Sequence, residues 1–436
     1  MINRDFYLNQ LIDKRHNGKV KIITGIRRSG KSYLLSVLYK NYLLSDGVKE
    51  TNIIHIELDK KQNIKYRNPN ELYDYILQKT AGHDGWCYVF IDEIQLSYRV
   101  KNTDIDELMV AEEDRDLLYT TFYDVLNDLR EQPNLDVYVT GSNSKMLSSD
   151  IVTNFRDRGS EIQVYPLSFQ EFMTVCDMDK VDALQEYLVY GGMPLAVLEP
   201  NEAEKKKYLR DLYKKVYMQD IVERYKISDE HVLSNVVDVV CSSVGSLTNP
   251  YNLANTIQSV MHVATSDKTV KRYLDYLTDA YLFCEAERYD VRGKRYMSTP
   301  MKYYSMDVGL RNARLNFRQQ DQGHLLENII YIDLVRRGYS VDVGMVELMQ
   351  SKDGKRKQSQ YEIDFVVNTN RGKVYIQTTE HLNTEILRER EIFSLKNTGD
   401  FFRKIVILGG NQKAWVDDDG IEYVGIIPFL LESFEI

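Results

Sequence analysis

The apolar positions in the N-terminal part of the chain cluster in short runs separated by helix-spaced stripes. The runs lie at 19–24, 52–58, 86–93 and 134–143, and the stripes at 7–17 and 70–80. The run at 86–93 is nearly continuous, which is typical of a strand buried on both faces of a parallel sheet. The pattern therefore predicts an α/β domain with a parallel sheet, which we assign to residues 1–172.

The pattern changes after this domain. Helix-spaced apolar positions dominate up to residue 281, and a strand at 283–288 and a return strand at 302–305 follow. Helices followed by a hairpin are the order of a winged helix, a variant of the helix-turn-helix. We therefore predict a helical and winged-helix domain at 173–320. Strands alternate with helices again at 321–436, which predicts a C-terminal α/β domain.

A glycine-rich loop follows the first strand, with the spacing Gly-x4-Gly-Lys-Ser. Such glycines let backbone N–H groups turn inward around a phosphate, and the following helix N-terminus adds partial positive charge. Lys31 is then expected to reach the β- and γ-phosphates of ATP, and the Ser32 hydroxyl to bind Mg²⁺. An ordinary glycine turn before a helix is the alternative, which the strand-loop-helix context disfavours. The predicted nucleotide-binding residues are Gly25, Ile26, Arg27, Arg28, Ser29, Gly30, Lys31, Ser32 and Tyr33.

Polar residues end two of the later strands. Asp92 and Glu93 close the run at 86–93, at the edge where α/β sheets bind ligands. Asp92 is predicted to hold Mg²⁺ through water, and Glu93 to orient and activate the attacking water. Asn143, which ends the run at 134–143, is predicted to sense the γ-phosphate. A plain turn after the strand is the alternative for Asn143.

Two arginines, Arg156 and Arg158, lie just before a further predicted strand. A guanidinium there can reach a γ-phosphate in the same subunit or in a neighbouring one, as an arginine finger. The residues alone do not decide which of the two arginines acts in this way, and a finger that acts between subunits would require a homo-oligomer. A structural ion pair with Asp157 or Glu161 is the alternative.

The distribution of charge indicates a binding partner for the middle domain. The formal net charge of −9 argues against a uniform coat of nucleic acid, but residues 268–318 hold eleven Lys or Arg and six Asp or Glu. This segment is predicted to contact double-stranded DNA, with the hairpin arginines touching phosphates. Winged helices also serve as packing modules or protein-contact surfaces, so a protein partner is the alternative.

Cysteines and apolar runs indicate the compartment. The four cysteines are far apart and form no CxxC pair, which is typical of a reduced protein. No apolar run approaches the length of about 18 residues that a membrane span requires, and the first residues lack the apolar core of a signal peptide. The expected location is cytoplasmic, without membrane contact.

Eight short segments together resemble a bacterial and archaeal family of AAA-type ATP-binding proteins with a C-terminal nuclease-like domain. The resemblance implies ATP and Mg²⁺ as ligands. It also implies the ATPase roles predicted above for Lys31, Ser32, Asp92, Glu93 and Asn143, and it places Arg158 where the family has an arginine near a glycine. The segments are 25–32, 90–95, 138–144, 165–172, 190–194, 220–224, 302–310 and 326–328.

The last domain resembles the restriction-endonuclease-like fold. Active members place one acid on a helix, a second on a strand and Glu-x-Lys on the next strand. Glu327 and Asp364 match the two acids, but Gln377 and Thr379 stand where Glu and Lys are needed. Glutamine is a poorer Mg²⁺ ligand than a carboxylate, and threonine supplies no ammonium. We therefore predict a catalytically inactive nuclease fold used for binding, with Glu327 and Asp364 left as structural caps or a weak metal pair.

These observations predict an ATPase that acts as an ATP-dependent switch, with hydrolysis that is slow or stimulated by a partner. Two alternatives remain open. One is a non-hydrolysing, nucleotide-sensing DNA-binding regulator, and the other is an ATP-regulated nuclease.

Overall fold

The computed structural model of the chain describes residues 2–141, 159–318, 321–352, 355–382 and 384–436. These residues form two compact units, Met1–Val164 and Tyr165–Ile436, which we call unit 1 and unit 2. The three-domain division at residues 172 and 320 stays a prediction.

Short strands and helices alternate along unit 1. Its described strands are β1 (Val20–Thr24), β2 (Ile53–Glu57), β3 (Cys87–Asp92), β4 (Val100–Lys101), β5 (Tyr119–Thr120), β6 (Leu135–Thr140) and β7 (Gly159–Gln163). Its described helices are α1 (Asp5–Asp13), α2 (Lys31–Tyr33), α3 (Lys40–Ser45), α4 (Pro69–Thr80) and α5 (Phe122–Glu131). A π-helical segment, Leu34–Tyr39, joins α2 to α3.

Five of these strands form one parallel sheet, in the order β2-β3-β6-β1-β7. The α/β class and the parallel sheet predicted from the apolar runs are therefore confirmed. Successive residues of each strand point to opposite faces, so Ile22 packs against α4 and α5 while Ile23 packs against α1 and the helical segment 31–45. Both faces are covered, which explains why apolar residues predominate in these strands. Lys21 of β1 and Asp136 of β6 are charged and buried, and they form an ion pair with each other.

The strand order fixes which loops meet. Because β1, β3 and β6 are parallel, their last residues Thr24, Asp92 and Thr140 lie at the same edge of the sheet. β6 is the strand between β1 and β3. The end of β6 therefore lies between the glycine loop after β1 and the two carboxylates after β3.

Unit 2 begins with helices and ends with a sheet. Its described helices are α6 (Phe169–Met173), α7 (Lys180–Tyr190), α8 (Pro194–Val197), α9 (Glu202–Asp211), α10 (Gln219–Tyr225), α11 (Glu230–Ser242), α12 (Pro250–Met261), α13 (Asp267–Asp279), α14 (Val308–Arg314), α15 (Gln322–Arg336), α16 (Glu385–Lys396) and α17 (Ile426–Leu430). Its described strands are β8 (Phe283–Asp290), β9 (Arg295–Ser305), β10 (Ser340–Lys352), β11 (Lys355–Thr369), β12 (Gly372–Thr379), β13 (Arg403–Leu408), β14 (Trp415–Val416) and β15 (Glu422–Gly425).

The strands of unit 2 form one mixed sheet, in the order β14-β15-β13-β12-β11-β10-β8-β9. The hairpin of β8 and β9 follows α11, α12 and α13, in the order predicted for a winged helix. This hairpin is also the edge of the large sheet, because β8 pairs in parallel with β10. The sheet is thus continuous across residue 320, where the sequence pattern placed a domain boundary.

Two glycine-containing turns of unit 2 pack against each other around the buried Asp307. The N–H of Gly192 donates to Asp307 Oδ2 at 2.6 Å. A Cβ on Gly309 would lie 1.9 Å from the carbonyl oxygen of Tyr190, so no other residue fits there without a shift of the backbone. Two of the segments that carry the family resemblance therefore hold α7 against α14, which is a structural role.

Asp307 is expected to give unit 2 a specific pH dependence. Burial raises the pKa of Asp307 to about 6, although the N–H groups of Gly192 and Leu310 oppose the shift. An acid whose pKa is higher in the folded state stabilises the fold at low pH, and this contribution is lost as the pH rises from about 4 to about 6. The loss amounts to about 3 kcal/mol. In urea unfolding, the free energy of unfolding of wild type should therefore fall by about 3 kcal/mol relative to that of Asp307→Asn as the pH rises from about 4 to about 6.

Asn249→Ala is the control for this titration. Asn249 also caps a helix, α12, but its side chain carries no ionisable group. Its stability curve should run parallel to that of wild type between pH 4 and 7. A parallel curve for Asp307→Asn as well would contradict the assignment.

Candidate nucleotide-binding site

The glycine loop of unit 1 is turned by three residues with positive φ. These are Gly25 (φ +125°), Arg28 (φ +68°) and Gly30 (φ +98°). A Cβ on Gly25 would lie 2.2 Å from the carbonyl oxygen of Val164, the residue that follows β7, so the loop runs directly against that backbone. Gly30 caps the helix that Lys31 begins. The loop has the curled backbone that a phosphate-binding loop requires.

Lys31 lies folded over this loop and is 5% exposed. Its Nζ donates to the carbonyl oxygens of Gly25 at 2.9 Å and Ile26 at 3.0 Å. Burial lowers the pKa of Lys31 to about 8, although the nearby charges of Glu93 and Asp92 raise it. The ammonium therefore lies against the loop and near the carboxylates of Asp92 and Glu93, where it can exchange the loop carbonyls for phosphate oxygens.

Arg4 supports the loop from outside the motif. It is buried just before α1, and its Nη1 donates to the carbonyl oxygen of Ser29 at 2.9 Å. The sequence analysis missed this residue, because a single arginine far upstream of the loop carries no recognisable pattern. The other loop residues divide by exposure: Gly25, Ile26 and Ser29 are buried, Arg27, Gly30 and Tyr33 are half-buried, and Arg28 and Ser32 are exposed.

Thr140 connects the two carboxylates of β3 to the end of β6. Its hydroxyl donates to Oδ1 of the buried Asp92, and it accepts the N–H of Glu93 at 3.0 Å. Glu93 has a positive φ of +56°, which turns the chain sharply after β3. Gln95 Nε2 donates to the Glu93 carboxylate, so that carboxylate is already oriented. Thr140 was also missed, because its role depends on the strand order.

The predicted site residues are therefore partly brought together. Lys31, Asp92 and Glu93 lie close enough to shift the pKa of Lys31. Asn143 and Arg158, together with the alternative Arg156, lie outside the described residues. Their predicted roles stay predictions.

The donors at this edge fit Mg²⁺. Ser32 offers an exposed hydroxyl in the first turn of the helix, and Asp92 offers a carboxylate with one oxygen fixed by Thr140. Oxygen ligands, few carboxylates and substrate phosphates are what Mg²⁺ takes in nucleotide sites. With ATP bound, the ion would neutralise charge on the phosphates.

Glu327 and Asp364, the two acids predicted from the resemblance to a nuclease fold, lie near a lysine that the sequence did not assign to them. Lys302 of β9 is 2% exposed, and its Nζ lies 2.8 Å from Glu327 Oε1 and 2.6 Å from Glu362 Oε1. The hydroxyl of Tyr304 also donates to Glu327 Oε1, at 2.6 Å. Burial alone would lower the pKa of Lys302, but Glu327, Asp364 and Glu362 together raise it above its ordinary value.

These side chains do not fit a divalent metal. Asp364 Oδ2 is taken by the N–H and the hydroxyl of Thr378, both at 2.7 Å, and Glu327 is taken by Lys302 and Tyr304. Among the described side chains of unit 2, no three His, Cys, Asp or Glu residues bring ligand atoms close enough for an ion. Burial raises the pKa of Glu327 to about 7, with Asp364 adding to the shift and Lys302 opposing it. The ammonium of Lys302 thus balances part of the negative charge of this cluster.

The basic segment 268–318 exposes less charge than its composition indicates. Arg288, Lys302 and Arg311 are buried, Lys271 is paired with Asp275 and Glu285, and Arg314 is paired with Asp238. A count of basic residues cannot separate these from surface charges. The exposed members are Lys268, Arg272, Arg292, Lys294, Arg295 and Arg318.

The parallel sheet, the curled glycine loop and the carboxylates after β3 define a P-loop protein of the AAA type. A family model described as an AAA domain matches residues 17–173, and one described as a domain of unknown function matches residues 181–321. The chain is 33% identical over 437 residues to an uncharacterized protein of Haemophilus influenzae, with 99% of both chains covered. The chain belongs to the same family of AAA-domain proteins as this relative.

A second relative is an archaeal protein. The chain is 27% identical over 449 residues to an uncharacterized protein of Methanocaldococcus jannaschii, with 98% of this chain and 90% of that protein covered. The alignment runs across both units, so the two units occur together in bacteria and archaea.

Solved structures are more distant. Aeropyrum pernix ORC1 in complex with DNA is 11% identical with a TM-score of 0.32, covering 72% of this chain and 93% of that one. Pyrobaculum aerophilum Cdc6p is 10% identical with a TM-score of 0.28, covering 76% of this chain and 94% of that one. Such scores carry no argument about function. Among the described residues, no helix combines the length and apolar character that crossing a membrane requires.

Proposed function

We propose that the protein is an ATPase that works as an ATP-dependent switch. The observation that carries this proposal is that Lys31, which folds over the glycine loop, lies near the carboxylates of Asp92 and Glu93. Lys31 would neutralise the β- and γ-phosphates, and Ser32 and Asp92 would hold Mg²⁺. A switch also needs a second element that responds to the nucleotide, which we assign to unit 2.

Glu93 favours hydrolysis over nucleotide sensing alone. Its carboxylate follows the strand that carries Asp92, and Gln95 holds it in place. A carboxylate in this position can accept a proton from the water that attacks the γ-phosphate. The rival reading, a non-hydrolysing regulator, would leave Glu93 without a role.

The experiment is steady-state ATP hydrolysis by wild type, Lys31→Ala and Glu93→Gln. Lys31→Ala should lose both ATP binding and hydrolysis, whereas Glu93→Gln should bind ATP and lose hydrolysis by about 100-fold or more, since it removes the base. Lys61→Ala and Glu113→Gln, which remove exposed charges from unit 1, are the matched controls and should behave as wild type. Equal background rates for all five proteins would contradict the ATPase proposal.

The proposed partner of the switch is duplex DNA or a protein. The observation that favours DNA is the exposed tip of the hairpin, where Arg292, Lys294 and Arg295 are all exposed. Replacing these three residues with alanine should weaken a salt-sensitive mobility shift with duplex DNA and lower its salt slope by up to about 3. Stimulation of ATP hydrolysis by DNA in wild type, and not in the triple variant, would support DNA over a protein partner.

Unit 2 is proposed to bind without cutting. Lys302 occupies the acidic cluster, and Gln377 and Thr379 replace the residues that an active nuclease needs. Plasmid cleavage in Mg²⁺ or Mn²⁺ that Asp364→Ala abolishes would overturn this.

A further inference from the structure

Three side chains that can bind a metal meet at the end of β2 and β3. His55, Glu57 and Asp92 each offer one ligand atom, and these atoms all lie within 4.8 Å of one another. His55 and Glu57 are two residues apart on β2 and so share a face, and Glu57 is the direct neighbour of Asp92 in the sheet. We propose that these residues form a site for a divalent transition metal such as zinc, separate from the Mg²⁺ that accompanies ATP.

The backbone around this cluster is held in place. The N–H of Leu58 donates to the carbonyl oxygen of Asp92 at 3.1 Å, and Asn63 Nδ2 donates to that of Glu57 at 3.0 Å. A tetrahedral zinc with bonds of about 2.1 Å needs ligand atoms about 3.4 Å apart. Small side-chain rotations therefore complete the site without a change of the fold.

The donor set favours a transition metal over Mg²⁺. Imidazole nitrogen suits zinc and its neighbours in the first row, whereas Mg²⁺ takes oxygen ligands. One histidine and two carboxylates supply three ligands and leave the fourth position to water. His55 is exposed and Asp92 is buried, so an ion can enter from solvent and still be partly shielded. Lys60 lies 3.9 Å from Glu57 and is 53% exposed, so the metal can displace it.

Sharing Asp92 gives the site a regulatory consequence. A metal bound directly to this carboxylate withdraws it from the Mg²⁺ of the nucleotide, so zinc and Mg-ATP should each weaken the binding of the other by the same factor. This consequence rests on the proposed ATP site, whereas the binding of zinc to the nucleotide-free protein is independent of that site.

The first experiment is a calorimetric titration of the nucleotide-free full chain with ZnCl₂. His55→Gln should weaken the unit 1 zinc step by at least about tenfold, since it removes the nitrogen ligand. His381→Gln is the matched control. His381 lies 3.4 Å from Glu380, a histidine-carboxylate pair in unit 2 outside the three-ligand group, and its variant should bind as wild type. The absence of zinc binding in wild type, or an unchanged titration in His55→Gln, would overturn the proposal.

The second experiment measures Mg-ATP affinity with and without zinc. Zinc should weaken Mg-ATP binding by wild type and leave that of His55→Gln unchanged. Zinc that binds wild type without altering its Mg-ATP affinity would overturn the regulatory role. A failure of the ATP proposal looks different, because neither protein would then bind Mg-ATP while the zinc step in wild type would remain.

Discussion

Lys302→Met is expected to lower the free energy of unfolding of unit 2 by about 3–5 kcal/mol, the cost of removing one partner from a buried ionic cluster. The ammonium is 2% exposed and is bonded to Glu327 and Glu362. Methionine fills a similar volume but leaves these carboxylates, with Asp364 nearby, without their cation. The carboxylates must then take up protons or water, and the fold loses the balance that the lysine provides.

The measurement can be confined to unit 2, because the chain has two tryptophans and each unit holds one. Trp415 stacks on Tyr423 with ring centroids 5.0 Å apart. In a Trp86→Phe background, its fluorescence reports the urea unfolding of unit 2 alone. Mg²⁺ or Mn²⁺ should leave the stability of the parent protein unchanged and restore part of the loss in Lys302→Met, since the vacated cluster can accept a cation.

Lys205→Met is the matched control for this prediction. Lys205 is also a buried lysine of unit 2, but it pairs with a single acid, Glu186, which is partly exposed. Lys205→Met should therefore lower the free energy of unfolding of unit 2 by clearly less than Lys302→Met does. Two results would contradict the role of Lys302 as an internal cation: an equal loss for both variants, or stabilisation of the parent protein by Mn²⁺ that Asp364→Ala abolishes.

The loop and the carboxylates could be predicted from sequence because their chemistry is local. Lys31 follows Gly30 directly, and Asp92 and Glu93 end one apolar run. The nearly continuous apolar run at 86–93 also predicted the parallel sheet, since burial on both faces favours apolar residues at successive positions of a strand. These features depend on spacing along the chain, which the sequence displays.

Residues that act across the fold could not be predicted in this way. Thr140 reaches Asp92 because β6 is inserted beside β3, and no residue near either strand encodes that order. Lys302 reaches Glu327 and Glu362 from a hairpin that the sequence pattern assigned to another domain. Composition overstated the charge of 268–318 for the same reason, since burial and pairing depend on which elements pack together.

Gly25→Ala is expected to abolish measurable ATP binding, a loss of about 100-fold or more in affinity. Gly25 has a φ of +125°, which L side chains rarely adopt, and its added Cβ would lie 2.2 Å from the Val164 carbonyl oxygen. That carbonyl belongs to backbone, and the N–H of Val164 donates to Thr24 at 2.9 Å. The glycine loop must therefore move away from β7, which removes the carbonyls of Gly25 and Ile26 that position Lys31. Misplacing a binding group by about 1 Å is enough for a loss of this size.

Gly47→Ala is the control that separates the contact with Val164 from the general loss of stability caused by a side chain at a positive φ. Gly47 has a φ of +88° and nothing within 4 Å of the added Cβ, so its replacement should cost about 1–2 kcal/mol in stability and leave ATP affinity unchanged. Affinity is measured with a fluorescent ATP analogue, and the stability of unit 1 with Trp86 in a Trp415→Phe background. Equal ATP affinity in the two glycine variants would show that the contact with Val164 does not determine the position of the glycine loop. The expected contrast would show that the first glycine of the motif is required by a strand far along the chain, in addition to the curvature of the loop itself.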